Sequence, residues 1–248
     1  MSFQKWIRGK ARTAVDSFYY SSSPDMHLLG IENGGGWVIN TKHPPAIAYC
    51  AGVGLNMSFE LELAKISHQP VLVFDPSPTA IETVAKSDTT NIQFFPIGLA
   101  AEDGTIEFSV PKKPKEGSYS IPMEGVERVT FHCNKLSTIM GENGHKALDL
   151  LKMDIEGFEY EVIDQVLSEH IPIRQICVEF HHWMKPGQTS QMVSRLRKAG
   201  YKIVHKNRGD HTFLMGDTRY TQLLRASATE STANACEANS FKIETTAL

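Results

Sequence analysis

Positive charge is not in excess in this sequence: 25 lysines and arginines stand against 28 aspartates and glutamates, a formal net charge of −3. Nonspecific nucleic-acid binding needs a basic surface, so no nucleic-acid partner is expected. Cysteine is sparse as well. Cys50, Cys133, Cys177 and Cys236 show neither metal-ligand spacing nor the even framework of a short secreted domain, which points to reduced thiols in a cytoplasmic protein. No apolar run approaches the roughly 18 residues that span a bilayer, and Met1 to Ser23 lacks a signal-peptide core, so no stable membrane insertion is expected. No segment repeats. No close His, Cys or acidic pair has the helical spacing of a zinc motif, and no metal is expected. A complete G-x-G-x-x-G pyrophosphate loop is also missing, because the third position after Gly54 is Met57.

What is present is enough apolar residue, 41% of 248, to bury the core of one α/β domain. The most informative stretch runs from Leu150 to Glu159. Leu150, Leu151, Met153 and Ile155 read as a buried strand, and Phe158, Val162 and Val166 recur at helical spacing after Gly157. In an open α/β sheet the crevice outside the carboxyl ends of the strands takes ligands, which makes Asp154 and Glu156 candidate site residues. The alternative is that both acids cap the following helix, where negative charge is favoured.

Other segments repeat this strand, turn, helix logic. Ala46 to Cys50 is an apolar run after Pro44 and Pro45, followed by Ala51-Gly52-Val53-Gly54 and a helical pattern of Phe59, Leu63 and Ile66. Val71 to Phe74 is a buried strand ending at Asp75. Behind it Ser77 and Pro78 are an N-cap and a proline at the first helical position, with Ile81, Val84 and Ala85 on one face. Ile92 to Ile97 and Ile173 to Phe180 are further strands, and the helix of Met192, Val193, Leu196 and Ala199 stops at Gly200. Strands alternating with helices imply a doubly wound, mostly parallel sheet. Tyr201 to His205 and Thr212 to Met215 lie too close for a parallel crossover and fit a terminal antiparallel hairpin.

The ends differ from the middle. Residues 1–35 read as an N-terminal helical extension, with Phe3, Ile7, Ala11, Val15 and Phe18 near one face, packed over a domain spanning 36–216. Residues 217–248 turn to Ser, Thr, Ala, Asn and Glu with little periodicity and read as a disordered tail.

The first turn carries a second signal. A glycine-rich loop lets backbone approach a nucleotide-like ligand, and an acid at the end of the next strand takes ribose hydroxyls. Asp75 follows Gly54 by 21 positions, near the usual separation of roughly 20. With the pyrophosphate pattern incomplete, an adenosine-type cofactor without phosphates is preferred to NAD or FAD.

These residues resemble a family. Ala51-Gly52-Val53-Gly54 running into Ser58 to Leu63, Phe74-Asp75-Pro76-Ser77-Pro78, Gly98-Leu99-Ala100 before Asp103-Gly104, Leu151 to Gly157, and Glu179-Phe180-His181-His182 are similar to FkbM-type methyltransferases over roughly 36–216. The resemblance implies a class I, Rossmann-like methyltransferase fold using S-adenosylmethionine to methylate a hydroxyl of a sugar or secondary-metabolite-like acceptor, whether a small molecule or a glycan. It implies that Ala51, Gly52 and Gly54 hold the methionine half of the cofactor, that Asp75 binds the ribose, that Gly98 to Asp103 border the adenine, and that Asp154 sits beside the reactive end. Ala48, Cys50, Leu55 and Asn56 depart from the family pattern, which bears on affinity more than on fold. Hydroxyl attack benefits from a carboxylate or histidine within reach of the departing proton, so Asp154, Glu156 and His181 are the catalytic candidates, with His182 beside them. A cofactor-binding module without catalysis and an NAD(P)-dependent Rossmann oxidoreductase stand as alternatives.

Overall fold

The computed structural model of the chain describes residues 25–32, 34–113 and 117–228. The expected N-terminal helix over 1–20 and the tail beyond 228 fall outside these residues. Among the described residues, twelve strands and five helices precede a last helical stretch over 217–228: β1 (Met26–Leu29), β2 (Trp37–Asn40), β3 (Ala48–Ala51), α1 (Ser58–Ile66), β4 (Val71–Phe74), α2 (Pro78–Ala85), β5 (Ile92–Phe95), β6 (Gly98–Leu99), β7 (Gly104–Ser109), β8 (Arg128–Asn134), α3 (Leu136–Glu142), β9 (Leu148–Met153), α4 (Glu159–Ser168), β10 (Ile173–Glu179), α5 (Gln188–Lys198), β11 (Tyr201–Asn207) and β12 (Asp210–Met215).

Seven strands form the central sheet in the order β11-β12-β10-β9-β3-β4-β5. Neighbours from β10 to β5 are parallel, while β12 pairs antiparallel with both β10 and β11, as the hairpin spacing requires. The chain winds from β3 outward through β4 and β5, then returns to β9 and winds the other way. The switch point therefore lies between β3 and β9, where open sheets of this kind bind ligands.

Strand alternation sorts the core into two layers. Tyr49, Ala51, Leu72, Phe74, Leu151, Met153 and Ile176 face α4 and α5, against Val162, Ile163, Val166, Met192 and Leu196. Ala48, Cys50, Val71, Val73, Leu150 and Cys177 face the other way, against Phe59 and Leu63 of α1, Ala80 and Val84 of α2, and Trp37 and Ile39 of β2. Strands buried on both faces read as continuous apolar runs, which is why the sequence pattern finds them.

Three features are not foreseen by that pattern. A small hairpin, β1 with β2, covers the sheet on the α1 side, and Thr212 Oγ1 donates to the Val38 carbonyl at 2.6 Å. A separate sheet of order β6-β8-β7 places Phe108 and Cys133 over the switch point beside Phe158. Residues 217–228 are helical, although the tail was expected to begin at 217. The cause is burial: Tyr220 is 4% exposed, its hydroxyl donates to the Leu148 carbonyl at 3.2 Å, and Leu223 and Leu224 pack on the same layer. Among the described residues no helix is long and apolar enough to cross a membrane.

Candidate active site

The exit of β3 is shaped by two glycines. Gly52 has φ +84°, and a Cβ there would lie 1.8 Å from the Asp154 carbonyl oxygen, so only glycine lets the ends of β3 and β9 run this close. Gly54 has φ +53° with nothing near its missing side chain, which leaves the loop open toward a cavity of about 240 Å³. Asp75, at the end of β4 and 7% exposed, holds the loop in place. Its Oδ2 accepts the Val53 and Gly54 amides at 2.8 and 3.1 Å, and its Oδ1 accepts Ser77 N–H at 2.9 Å. A carboxylate offers about four lone-pair sites, so one remains for a ligand hydroxyl.

Gly52, Gly54, Asp75, Gly98, Asp154 and Glu156 all line this cavity. A side chain at position 98 would meet Cys133 Sγ at 2.5 Å, so the wall there is bare backbone. Ala51 sits beneath the floor, fully buried in the α4-side layer. Asp103 is not brought to the cavity. Its oxygens accept Lys135 N–H at 2.7 Å and the Thr138 hydroxyl at 2.9 Å at the start of α3, and these bonds hold its carboxyl below the usual range.

Lys152 is the first residue that sequence patterning passes over. Alternation along β9 sends its side chain to the α1 layer, where its ammonium lies 3.4 Å from Glu60 Oε1, with side-chain exposures of 5% and 1%. The ammonium also donates to the Gly52 carbonyl and lies 5.8 Å from the Trp37 ring centroid. Burial works against the Lys152 charge, but Glu60 and Asp154 outweigh it and hold the amine above its ordinary value. Burial likewise pushes the Glu60 carboxyl up, with Lys152 opposing.

Beyond β9 and β10 the chain gathers acids around one imidazole. Glu156 adopts φ +51° in the turn after β9, and its carbonyl accepts Ile121 N–H at 3.0 Å. Glu159, fully buried at the start of α4, accepts Gly157 N–H through Oε2 at 2.8 Å. Its Oε1 faces both the backbone N–H of His181 at 2.8 Å and the ring Nδ1 at 3.0 Å. His181 Nε2 then points to Glu156 Oε2 at 3.2 Å and Asp154 Oδ1 at 3.7 Å. Burial opposes a charge on this ring, yet the bonds to Glu156 and Glu159 push its pKa up to about 11. Glu159 on the Nδ1 side fixes the ring, so that Nε2 is the nitrogen turned toward Glu156 and Asp154. Burial also opposes the Glu156 charge, and His181 overcomes it, leaving that carboxyl below the usual range.

The neighbouring acids move the other way. Burial, against Lys152 and His181, raises the Asp154 carboxyl. Burial and the Asp154 charge raise Glu179 to about 7 and Asp210 to about 6. Both line a second cavity of about 520 Å³, along with Arg208 and Lys206, which shares Gly35, Trp37 and Asp154 with the first. Asp154 keeps 36% of its side chain open at this junction.

The family described as the Methyltransferase FkbM domain matches residues 40–203. The chain belongs to the FkbM methyltransferase family. Among curated relatives, methyltransferase sdnD of Sordaria araneosa is 23% identical over 197 residues, covering 64% of this chain and 75% of that protein. Hexuronic acid methyltransferase AglP of Haloferax volcanii is 25% identical over 154 residues, 59% of this chain and 61% of that protein, so less than two thirds of its length is spanned. Probable methyltransferase-like protein 24 of Homo sapiens is 33% identical over 69 residues, 27% of this chain and 18% of that protein. No solved structure matches the chain.

In this FkbM methyltransferase, then, the glycine loop, Asp75, Gly98, Asp154 and Glu156 meet around one cavity, and His181 lies buried behind Glu156. His182 turns aside, its ring edge-on to the exposed Trp183 at 5.1 Å. Lys152, Glu159 and Asp210 are the site neighbours that strand-end reasoning omits. Their only sequence signal is charge inside or beside an apolar run.

Proposed function

We propose that this FkbM methyltransferase transfers the methyl group of S-adenosylmethionine to a hydroxyl oxygen of a sugar or secondary-metabolite-like acceptor. One observation carries the reading: two cavities of different chemistry share Asp154, so one residue meets both reactants. The smaller cavity fits the cofactor. Its floor is backbone at Gly52, Gly54 and Gly98, it excludes a pyrophosphate loop by sequence, and Asp75 retains an acceptor site for a ribose hydroxyl. The larger cavity is rich in polar groups, as a hydroxylated acceptor requires, and the relative named for a hexuronic acid supports a sugar-like substrate.

When bound, S-adenosylmethionine supplies an electrophilic methyl on a sulfonium. The protein's contribution is positioning, which alone supplies much of the rate for two bound reactants. Asp75 and the Val53 and Gly54 amides form one rigid unit that sets the depth of the cofactor. Asp154 lines both cavities and so stands between the two reactants, while Glu156, braced by His181, borders the reacting region from the wall of the cofactor cavity. The buried thiols of Cys50, Cys133 and Cys177 are free, in keeping with a reducing cytoplasmic setting.

Calorimetry with S-adenosylmethionine and its demethylated product, followed by transfer of labelled methyl into a panel of sugars and uronic acids, tests the reading. Saturable binding of both with label in an acceptor is the expected outcome. No binding of either ligand overturns it.

A further inference from the structure

The acid-rimmed imidazole beside Asp154 has a geometry that methyl transfer by positioning alone does not require. We propose that Asp154, Glu156 and His181 bind one divalent cation of the magnesium and manganese class, through one carboxylate oxygen from each acid and His181 Nε2.

The three ligand atoms lie within 4.8 Å of one another. Two ligands at right angles around a cation held at about 2.1 Å are about 3.0 Å apart, which matches the 3.2 Å between His181 Nε2 and Glu156 Oε2 and lies near the 3.7 Å to Asp154 Oδ1. The histidine is set up as a ligand, the cation taking the place of the Nε2 proton, which is released to solvent. Glu159, fully buried, takes the Nδ1 side of the ring and fixes Nε2 as the nitrogen facing the acids, the arrangement in which a carboxylate orients a metal-bound imidazole. All three residues follow the ends of parallel neighbours β9 and β10, Asp154 and His181 within two residues of a strand and Glu156 in a turn whose carbonyl accepts Ile121 N–H.

Charge balance points the same way. Glu179 and Asp210, both half-buried, line the cavity that Asp154 also lines, so further acidic groups crowd the three ligands and repel them. A divalent cation offsets that repulsion. Two oxygens and one imidazole nitrogen, without thiolate, favour Mg²⁺ or Mn²⁺ over softer ions. Because Asp154 and Glu156 also line the cofactor cavity, open coordination positions face the reactants, where a cation would orient the acceptor hydroxyl and favour loss of its proton. This catalytic role rests on the methyltransferase reading; cation binding does not.

The test is a titration of the EDTA-stripped full chain with Mn²⁺ alone, following free Mn²⁺ by electron paramagnetic resonance, with cofactor affinity measured separately. One saturable Mn²⁺ per chain, displaced by Mg²⁺, is expected. Glu156→Gln should weaken it at least tenfold, Glu159→Gln by about tenfold, and Asp103→Asn not at all, with circular dichroism showing each variant folded. Mn²⁺ should also broaden the His181 ring resonances of the unaltered chain far more than those of exposed His170, beyond the far end of α4, a measurement that needs no variant. No saturable uptake below millimolar Mn²⁺ overturns the proposal. Undiminished uptake in Glu156→Gln, or broadening at His170 that spares His181, also overturns it. Mn²⁺ binding without cofactor binding supports the site while sinking the methyltransferase reading.

Discussion

Lys152→Met should destabilise the protein more than almost any other single change at the site, and the loss should depend on pH. The Lys152 ammonium and Glu60 carboxylate are 3.4 Å apart with side chains 5% and 1% exposed, and neither Glu60 oxygen has a well-aligned hydrogen bond. Methionine keeps most of the lysine stem, so the change mainly removes charge. Breaking a buried pair from one side costs about 3–5 kcal/mol, because the remaining charge is left uncompensated. Glu60 answers by taking a proton, which puts the loss near the lower end, about 3 kcal/mol. In a domain of this size that is a fall of about 6–12 °C in Tm.

The sign with pH follows from Glu60. Burial raises its folded carboxyl above the unfolded value, and losing Lys152 raises it further. A group with a raised folded pKa contributes stability that is complete below the unfolded value and is lost as pH rises through the folded one. The Lys152→Met deficit should therefore shrink in acid and grow toward neutral pH. A Lys152→Met, Glu60→Leu double variant should recover most of the loss at pH 7, since an apolar pair of similar volume often matches a buried ion pair. Urea denaturation followed by circular dichroism between about pH 5 and 8, on wild type, both single variants and the double, reads all of this. If the double variant loses the sum of the singles, or the Lys152→Met deficit is flat with pH, the pair is not a buried, mutually dependent unit and the reasoning fails.

Asp75→Ala removes the acceptor of three loop amides and the proposed ribose contact; S-adenosylmethionine affinity should fall by about 1.5–3 kcal/mol in calorimetry, and unchanged affinity would end the ribose assignment. Asp154→Asn should lower both cofactor affinity and methyl transfer, whereas Glu156→Gln should lower transfer with affinity retained, a split read by calorimetry beside the labelled-methyl assay. Tyr220→Phe loses one buried hydrogen bond to the Leu148 carbonyl and should cost about 1 kcal/mol by urea midpoint. Ending the chain at residue 216 should cost several degrees of Tm more, because it also strips Leu223 and Leu224 from the core.

How much of this was legible depended on which faces a segment buries. Val71 to Phe74 and Leu148 to Met153 are covered on both sides, so their composition alone marks them as central strands. β7 and β8 are covered on one side; Ile106, Phe108, Val129 and Phe131 face inward between Thr105, Glu107, Thr130 and His132, a weaker signal inside a segment that reads as loop. The same contrast holds at the site. Gly52, Asp75 and Asp154 stand at strand ends, where topology assigns them a direction before any side chain is placed. Lys152 was hidden because a lysine within an apolar run has no meaning until α1 sets Glu60 opposite it. Glu159 read as one more helix-start acid, and only the tertiary fold brings His181 onto it from the end of β10. Asp103 misled for the opposite reason: it sits in the expected segment, but the start of α3 takes both its oxygens.

β9 joins these parts mechanically. Its period of two sends Lys152 to the α1 layer and Met153 to the α4 layer, so Asp154 emerges where neither layer covers it. Its backbone there presses on Gly52, where a single added carbon would collide with the Asp154 carbonyl. The Asp154 amide donates to the Ala51 carbonyl at 3.0 Å, and the Lys152 ammonium reaches the Gly52 carbonyl from below. The glycine loop and the acid cluster are thus fastened to consecutive residues of one strand. A slip of β9 by one residue would turn Lys152 into the α4 layer and withdraw Asp154 from both cavities together. Cofactor depth and acceptor-side charge are for that reason not independent in this fold, and a variant at Gly52 should disturb the acid cluster it never touches through side chains.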